Sequence, residues 1–317
     1  MMANELVSII VPSYNQGRYI RTTLESIFSQ DYPHLEIIVM DGGSTDNTCD
    51  ILRSIDDPRM TWRSEPDNGQ SHAINKGLRQ SNGSILGYLN SDDLLLPGAI
   101  HKILDYFDTQ PECDLVYGHN YMIDENGRVV QETPVSNFHI TDMLHPIGGL
   151  PQPGLFWQRR VTDHIGLFDE TLHYTMDYDY WLRAALAGFR LDYLRTSLGA
   201  FRLHSTSKTV SQSSRFWDDW GKVLDKVYSR PDLCPDIRQT ETEARNYVKW
   251  QRTKALWGDG KYEETRPVLR SFLLHRNRWQ RRLLAATMLL DSYLSTSITR
   301  GLWWLYRRFT ASDLYVL

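Results

Sequence analysis

Runs of consecutive apolar residues alternate with segments of helical periodicity along the first hundred residues of the chain. The predicted strands cover residues 7–11, 35–40, 60–64 and 85–89, with one helix between each pair. Pro12 is expected to end the first strand, because proline cannot donate to a sheet ladder. This alternation predicts an open, doubly wound parallel sheet, whose ligands bind beyond the carboxyl ends of the strands.

Two of the predicted strands end in acidic turns. Residues 41–43 (DGG) follow the second strand, and residues 90–93 (NSDD) follow the fourth. Neighbouring carboxylates repel each other, so such turns commonly hold a cation or accept several N–H donors. The alternative is two solvated turns whose polar side chains cap the next helices. Because both turns are expected at one edge of the sheet, they favour a shared crevice for a divalent metal carrying a phosphate.

Antiparallel structure is predicted after the fourth strand. An amphipathic helix through Phe107 precedes a strand over residues 115–118, and Asn126-Gly127 indicates the turn of a hairpin. Residues 137–154 contain three prolines and three glycines with little periodicity. We therefore expect an irregular loop there, and we expect the acceptor to bind at this loop.

Asp177 and His204 are candidate functional residues further along. Asp177 lies in the first turn of a helix predicted over residues 174–188, and His204 ends a strand predicted over residues 199–204. In the structural alternative, Asp177 and Asp179 favour the helix dipole and Asp179 pairs with Arg183. A single histidine is likewise more often structural than ligating.

Composition indicates a folded chain of two units. Of the 317 residues, 41% are hydrophobic and 23% charged, and helical periodicity replaces the strand pattern near residue 212. We expect a catalytic domain over residues 1–212 and a helical region over residues 213–317. The net charge of −4 gives no general attraction to nucleic acid. Three widely spaced cysteines, no signal sequence and no apolar stretch of about 20 residues predict a cytoplasmic protein.

The carboxy-terminal region contains a strongly basic segment. Residues 276–308 carry seven arginines and one acid, Asp291, and end in WWLYRR. One interpretation is peripheral contact with an anionic membrane, which brings the chain to a lipid-linked acceptor. The alternative is a packed helix whose arginines extend into solvent. Residues 255–262 resemble the turn of a tetratricopeptide helix pair, but a single unit does not support a repeat array.

Five motifs in one order resemble an inverting glycosyltransferase of family 2, with the GT-A nucleotide-sugar fold. They are VSIIVPSYNQGRYI, EIIVMDGGSTDNT, EPDNGQSHAINKGLRQSNGSILGYLNSDD, GLFDETLHYTMDYDYWLRAALAG and FRLHSTSKT. Together they are specific, whereas one alone is weak. The resemblance covers residues 6–208 and implies a mostly parallel mixed sheet flanked by helices, with a helical appendage at the carboxyl end.

The resemblance also implies where a nucleotide-sugar donor, UDP- or dTDP-linked, binds. The matching positions are Pro12, Tyr14, Asn15, Asp41, Asp67, Asn75, Lys76, Ser91 and Asp92. Asp41 is suited to accepting a pyrimidine imide N–H, and Asp67 matches a segment that closes over the base and ribose. Asn75 and Lys76 are expected near the diphosphate.

The same resemblance assigns a metal site and a catalytic base. Asp92 matches the last residue of the D-x-D signature, which binds Mg²⁺ or Mn²⁺ bridging two phosphates, and His204 matches a position near that metal. Asp177 matches the base. Asn90 replaces a frequent acid, which predicts weaker metal binding with Asp93 as compensation, and Met176 replaces the acid that usually precedes the base.

The function implied is metal-dependent inverting transfer of a sugar to an acceptor hydroxyl, on a saccharide or lipid-linked glycan, in surface polysaccharide or glycolipid assembly. One alternative is a non-catalytic nucleotide-sugar-binding protein, for which Asn90 and Met176 are the support. Another is a nucleotidyltransferase, which usually needs a glycine-rich basic loop where residues 12–17 read PSYNQG. The chain has no Q-x-x-R-W segment, so single-sugar addition is preferred over processive synthesis.

Overall fold

Four parallel strands and three helices alternate at the start of the chain, as the sequence predicts. They are β1 Val7–Ser13, α1 Ile20–Phe28, β2 Leu35–Asp41, α2 Thr48–Arg53, β3 Met60–Ser64, α3 Gln70–Gln80 and β4 Ile85–Tyr88. Strand β1 pairs in parallel with β2 and β4, and β2 pairs in parallel with β3. The carboxyl ends of these strands therefore lie along one edge of the sheet.

Strand β1 continues through Pro12 to Ser13, so the prediction that Pro12 ends it is wrong. The carbonyl of Ile10 accepts a hydrogen bond from the N–H of Leu89, just after β4. Residues two apart on a strand point to the same side. The nitrogen of Pro12 therefore faces the β4 side of the strand, where pairing with β4 has already ended. No sheet hydrogen bond is lost because Pro12 lacks an N–H.

The sheet continues with shorter and antiparallel elements. They are β5 Leu94–Leu95, α4 Ala99–Thr109, β6 Leu115–Ile123, β7 Val129–Thr133, α5 Ile140–Leu144, β8 Phe156–Gln158, α6 Arg159–Ile165, α7 Met176–Leu186 and β9 Leu191–Arg202. The strand order is β3-β2-β1-β4-β8-β6-β9-β5, with β7 paired to β6. Strand β8 joins β4 to β6 in antiparallel fashion, and β6 runs parallel to β9. The predicted mixed sheet flanked by helices is confirmed.

Helix α3 packs directly on the centre of the sheet. A side-chain carbon added at Gly77 would lie 2.5 Å from Cγ2 of Ile10 in β1, so only glycine permits this approach. Both faces of the sheet carry helices, and the aliphatic side chains of β1 and β2 pack with those of α1 and α4. This packing fixes the amino terminus of α3 next to the end of β4.

The computed structural model describes residues 4–133, 135–144, 150–204, 213–274 and 279–294. The chain divides into two compact units, residues 1–143 with 149–207 and residues 144–148 with 208–317. Several predicted features lie outside the described residues. They are residues 145–149 of the irregular loop, residues 205–208 of the last motif, the proposed boundary residue 212, and the basic residues 276–278 and 295–308.

Helices alone form the described part of the second unit after residue 212. They are α8 Ser213–Tyr228, α9 Pro235–Gln239, α10 Glu241–Gly258, α11 Tyr262–Leu274 and α12 Trp279–Leu294. Trp250 and Trp257 of α10, Leu269 and Phe272 of α11, and Met288 of α12 share one core. The turn predicted at residues 255–262 joins α10 to α11. Within the described ranges, no helix has the length and apolar composition needed to cross a bilayer.

Candidate active site

The loops that follow β1 and β2 are joined by hydrogen bonds from Asn15. Its N–H donates to Oγ of Ser44 at 2.7 Å, and its Oδ1 accepts from the N–H of Thr45 at 2.8 Å. Asn15 has a positive φ of 53°, which asparagine tolerates better than most residues. Pro12 is buried in β1, whereas the ring of Tyr14 is 60% exposed. An aromatic face is therefore presented to solvent at the end of β1.

Asp41, at the end of β2, is completely buried, and its carboxylate accepts hydrogen bonds from neighbouring residues. Its Oδ2 accepts from the N–H of Ser44 at 2.9 Å, the N–H of Gly43 at 3.1 Å and Oγ of Ser64 at 2.6 Å. Burial raises the pKa of Asp41, but hydrogen bonds from Ser44, Ser64 and Cys49 outweigh burial and leave the pKa below its ordinary value. The carboxylate therefore shapes the loop, and its contact with a base stays a prediction.

Asp67 lies over the glycine turn that follows Asp41. A side-chain carbon added at Gly42 would lie 2.7 Å from Oδ2 of Asp67, and Oδ1 of Asp67 accepts from the N–H of Gly69 at 2.8 Å. Glycine at position 42 thus makes room for this carboxylate. Lys76 lies nearby and forms an ion pair with Oε1 of Glu65 at 3.2 Å.

A cleft of about 660 Å³ opens between α2 and the end of β3. Ser44, Cys49, Trp62 and Ser64 line it, together with Arg53 and Arg63. Its volume lies in the range of small-molecule sites. The sequence analysis missed Ser64 and Cys49, because only their distance from Asp41 in the fold marks them as part of this region.

Asp92 and His204 meet at the end of β4. Nε2 of His204 lies 2.9 Å from Oδ2 of Asp92, although 112 positions separate the two residues in the chain. No group of three or more acidic, histidine or cysteine ligands occurs among the residues that the structure describes. Two protein ligands fit a divalent cation that takes its remaining ligands from phosphate and water.

Asp93 points into the protein and does not add a ligand to this pair. Its Oδ1 accepts from the N–H of Arg202 at 2.9 Å and its Oδ2 from Nδ2 of Asn90 at 3.0 Å, and the residue is completely buried. Nε of Arg202 also donates to the carbonyl of Asp92 at 2.8 Å. The expectation that Asp93 compensates for Asn90 in binding metal is therefore wrong. Burial, with the charge of Asp92, raises the pKa of Asp93 well above its ordinary value.

Asn90 is the centre of a network of side-chain amides. Its Nδ2 donates to Asp93 and to Oε1 of Gln152 at 3.1 Å, while its Oδ1 accepts from Nε2 of Gln70 at 2.6 Å. Gln152 in turn donates to the carbonyl of Tyr88 at 2.7 Å. Asparagine at position 90 thus supplies a donor that an aspartate could not supply. Sequence reasoning missed Gln70 and Gln152, whose positions carry no pattern of their own.

The amino terminus of α7 reaches the same crevice. Oγ of Ser71, beside Gln70, lies 2.8 Å from Sδ of Met176 and donates to the carbonyl of Leu172 at 3.1 Å. Met176 is buried, so the residue that replaces an acid in the motif packs against α3. Asp177, the next residue, is partly exposed and accepts from the N–H of Tyr178 at 2.8 Å.

Tyr88 connects the two acidic regions of the crevice. Burial raises the pKa of Tyr88 well above its ordinary value, and the charges of Asp177 and Asp93 raise it further. The contact of Met176 with Ser71, and the hydrogen bond from the neighbouring Gln70 to Asn90, bring the start of α7 near the turn that carries Asp92.

Three further predicted residues have structural surroundings. Asn75 is buried, donates to the carbonyl of Phe168 at 2.9 Å and accepts from its N–H at 3.0 Å, which clamps that loop to α3. Its contact with a diphosphate stays a prediction. Ser91 is buried within the turn. Asp179 pairs with Arg183 at 2.8 Å, which confirms the structural interpretation of Asp179.

Residues 8–165 match the family model described as glycosyl transferase family 2. An uncharacterized glycosyltransferase of Rickettsia prowazekii is 29% identical over 240 residues, which cover 70% of this chain and 72% of that protein. Among solved structures, residues 1–349 of S. aureus TarS, in complex with UDP-GlcNAc, superpose with a TM-score of 0.63 at 20% identity, covering 93% of this chain and 92% of that chain.

A second solved structure gives a similar result. The mannosyltransferase PcManGT of Pyrobaculum calidifontis, in complex with GDP-Man and Mn²⁺, has a TM-score of 0.62 at 20% identity and covers 99% of this chain and 85% of that chain. At this level of identity the two structures establish the GT-A fold, and their ligands are properties of those proteins.

Asp41→Asn should destabilise the protein at neutral pH. The difference in stability from the natural chain should become smaller at acid pH. A side-chain amide placed among five donors should lower the free energy of unfolding by about 1–3 kcal/mol at pH 7. Because the folded pKa of Asp41 is lowered, its stabilisation is present above the unfolded pKa near ~3.9 and is lost as pH falls through the folded pKa. Urea unfolding across pH measures the difference.

The exposed Asp50→Asn variant in α2 is the control and should show little change at any pH. A deficit in Asp41→Asn that stays constant from neutral to strongly acid pH would contradict this account.

Asn90→Asp should destabilise the protein and should not tighten metal binding. The change would place two carboxylates where Nδ2 of Asn90 now lies 3.0 Å from Oδ2 of Asp93, and it removes the donor to Gln152. We expect a loss of about 1–3 kcal/mol in the free energy of unfolding. Chemical unfolding and Mn²⁺ titration measure the two effects, with the exposed Asn126→Asp variant as the charge-matched control. Tighter Mn²⁺ binding in Asn90→Asp would show that position 90 is a metal ligand.

Proposed function

We propose that this chain, which belongs to glycosyl transferase family 2, transfers a sugar from a nucleotide-diphosphate sugar to an acceptor hydroxyl with inversion at the anomeric carbon. The observation that carries the proposal is that Asp92 pairs with His204 after β4, while the start of α7, which carries Asp177, contacts α3 beside the residue that is hydrogen-bonded to Asn90. In this proposal, Asp92 and His204 bind the phosphates of the donor, and Asp177 accepts the proton of the acceptor.

The nucleotide is proposed to lie along the ends of β1, β2 and β3. The exposed ring of Tyr14 offers a stacking surface, and the carboxylate of Asp67 offers an acceptor beside the turn at Gly42. A uridine or thymidine base presents an imide N–H that suits such an acceptor. The cleft lined by Ser44 and Ser64 adds polar groups nearby.

Asp92 and His204 are proposed to hold Mn²⁺ or Mg²⁺ together with the diphosphate. When bound, the cation stabilises the negative charge that develops on the leaving phosphate. The chain itself prepares the site, because Arg202 holds the carbonyl of Asp92 and the backbone of Arg202 is held by Asp93. The two ligands are thereby kept close before a donor arrives.

Asp177 is proposed to accept the proton of the attacking hydroxyl. Its carboxylate lies in the first turn of α7 and is partly exposed, so an acceptor can approach it. A single displacement, with the leaving diphosphate held by Asp92 and the base on the other side of the sugar, inverts the anomeric centre. Met176 leaves this base intact, since its side chain packs against Ser71. Met176 therefore no longer supports the alternative of a non-catalytic binding protein, which leaves Asn90 as its support.

The acceptor is proposed to be a saccharide or a lipid-linked glycan, bound beside the loop that carries Gln152. Gln152 links this loop to Asn90 and Tyr88, which places the loop at the crevice. We place the chain in the cytoplasm, because its three cysteines are free thiols. A role in surface polysaccharide or glycolipid assembly is the corresponding biological proposal.

Asp177→Asn should abolish transfer while leaving donor binding intact. Removing the proton acceptor should lower the turnover number by about 10²–10⁴-fold, because the amide cannot take up the proton of the attacking hydroxyl. Release of nucleoside diphosphate from a panel of UDP- and dTDP-sugars measures turnover, and calorimetry measures donor affinity. Asp163→Asn, at an exposed position of α6, is the control and should keep full activity. Turnover near that of the natural chain in Asp177→Asn would remove Asp177 from the mechanism.

Asp92→Ala and His204→Ala should each remove the dependence of nucleotide binding on metal. In the natural chain, UDP should bind at least about tenfold more tightly with Mn²⁺ than with a chelator, a difference of about 1.4 kcal/mol. In either variant the two affinities should become similar. His119→Ala, at another half-buried histidine of the sheet, should retain the difference. Equal UDP affinity with and without Mn²⁺ in the natural chain would rule out the metal site.

A further inference from the structure

Helix α12 has apolar side chains on two opposite faces. On one face, Ala285 and Met288 are buried against α10 and α11, and Nε1 of Trp257 donates to the carbonyl of Met288 at 3.3 Å. On the other face, Leu283 is 59% exposed, Leu290 62% and Tyr293 50%. We refer to these three residues as the α12 stripe.

The α12 stripe is continuous along the helix. Its members are seven and then three positions apart, which places them on one side of the helix over about 15 Å. A soluble helix normally carries polar residues on the face that is turned away from its core. Leu283 and Leu290 therefore leave apolar area in water without a partner in the described residues of the second unit.

Cations flank the α12 stripe at both ends. Arg282 is exposed next to Leu283. At the other end, the guanidinium of Arg266 lies 4.3 Å from the ring centre of Tyr293, and Arg270 donates to its phenol oxygen. Asp291, the acid of this helix segment, is buried. Glu263 lies 3.5 Å from Arg266.

We propose that the α12 stripe docks the protein on an anionic lipid surface. Leucines would enter the boundary between headgroups and acyl chains, and the tyrosine ring suits that boundary. The exposed Arg270 and Arg282 would meet lipid phosphates, whereas Arg266 is held by Ser292 and Glu263. The proposal goes beyond the transfer reaction and does not depend on it, since neither Asp92 nor Asp177 takes part.

The charges favour a lipid surface over a second copy of this chain. In an antiparallel pair of α12 helices, Arg282 of one copy would face the end that carries Arg266 and Arg270 of the other. In a parallel pair, Arg282 would face its own copy. Like charges would meet in both arrangements, which is unfavourable. An anionic bilayer instead offers opposite charge to the arginines at both ends of the stripe.

Vesicle flotation of the full chain tests the proposal. The natural chain should float with vesicles of phosphatidylcholine and phosphatidylglycerol and should not float with vesicles of phosphatidylcholine alone. Added salt should release it from the anionic vesicles. The double variant Leu283→Glu and Leu290→Glu should lower the partition coefficient by about tenfold or more, because it removes apolar contact and adds repulsion. The matched control is Val129→Glu with Val130→Glu on β7, where the two valines are 61% and 62% exposed. It should float as the natural chain does.

A second variant keeps the test decisive if the leucine variant folds poorly. Arg282→Glu should reduce flotation with the anionic vesicles while thermal unfolding is unchanged, because Arg282 is exposed. The proposal is overturned if the natural chain floats with neither vesicle, or if both the leucine and arginine variants float as well as the control. It is also overturned if light scattering shows a dimer that the leucine variant converts to a monomer without any flotation.

Discussion

The hydrogen bonds around the buried carboxylate of Asp93 are the constraint on which the rest of the site depends. They join the turn after β4 to the end of β9 through the N–H of Arg202, and they hold Asn90 from the other side. A carboxylate removed from water destabilises the fold unless it is hydrogen-bonded, so the turn and the strand end are held together. As a result, Asp92 and His204 lie 2.9 Å apart.

The acidic residues of the crevice take different roles because their surroundings differ. Asp41 is buried among hydroxyls and backbone N–H groups, and its lowered pKa reflects a carboxylate that organises its own loop. Asp93 organises the turn through hydrogen bonds from Arg202 and Asn90, although burial raises its pKa well above the ordinary value. Asp92 keeps an oxygen directed at an imidazole, and Asp177 remains partly exposed at a helix terminus. Asp41 and Asp93 thus build the site, and Asp92 and Asp177 are the two acids to which we assign the reaction. In our proposal these two bind the diphosphate with its metal and accept the proton.

Sequence patterns were sufficient where an element is long and its pattern is local. The alternation up to β4 and the hairpin of β6 with β7 follow from apolar runs and from an Asn-Gly turn. Strand β8 has three residues, which is too short for periodicity, and most of β9 carries no continuous apolar run. The weaker metal binding expected from Asn90 stays a prediction, but its partners Gln70 and Gln152 could not be found from the sequence, because they are neighbours only in the fold. The prediction for Pro12 is wrong for a similar reason. Whether a proline ends a strand depends on which side of the strand lacks a partner, and the sequence does not show this.

A crystal structure with a UDP-sugar and Mn²⁺, with diffraction data collected at the manganese absorption edge, tests the central claim most directly. The account predicts one anomalous peak bonded to the Asp92 carboxylate, the His204 imidazole and the diphosphate. It also predicts that the anomeric carbon faces Asp177, with space between them for an acceptor hydroxyl. A peak away from Asp92 and His204, or a sugar bound with Asp177 on the side of its leaving phosphate, would contradict the account.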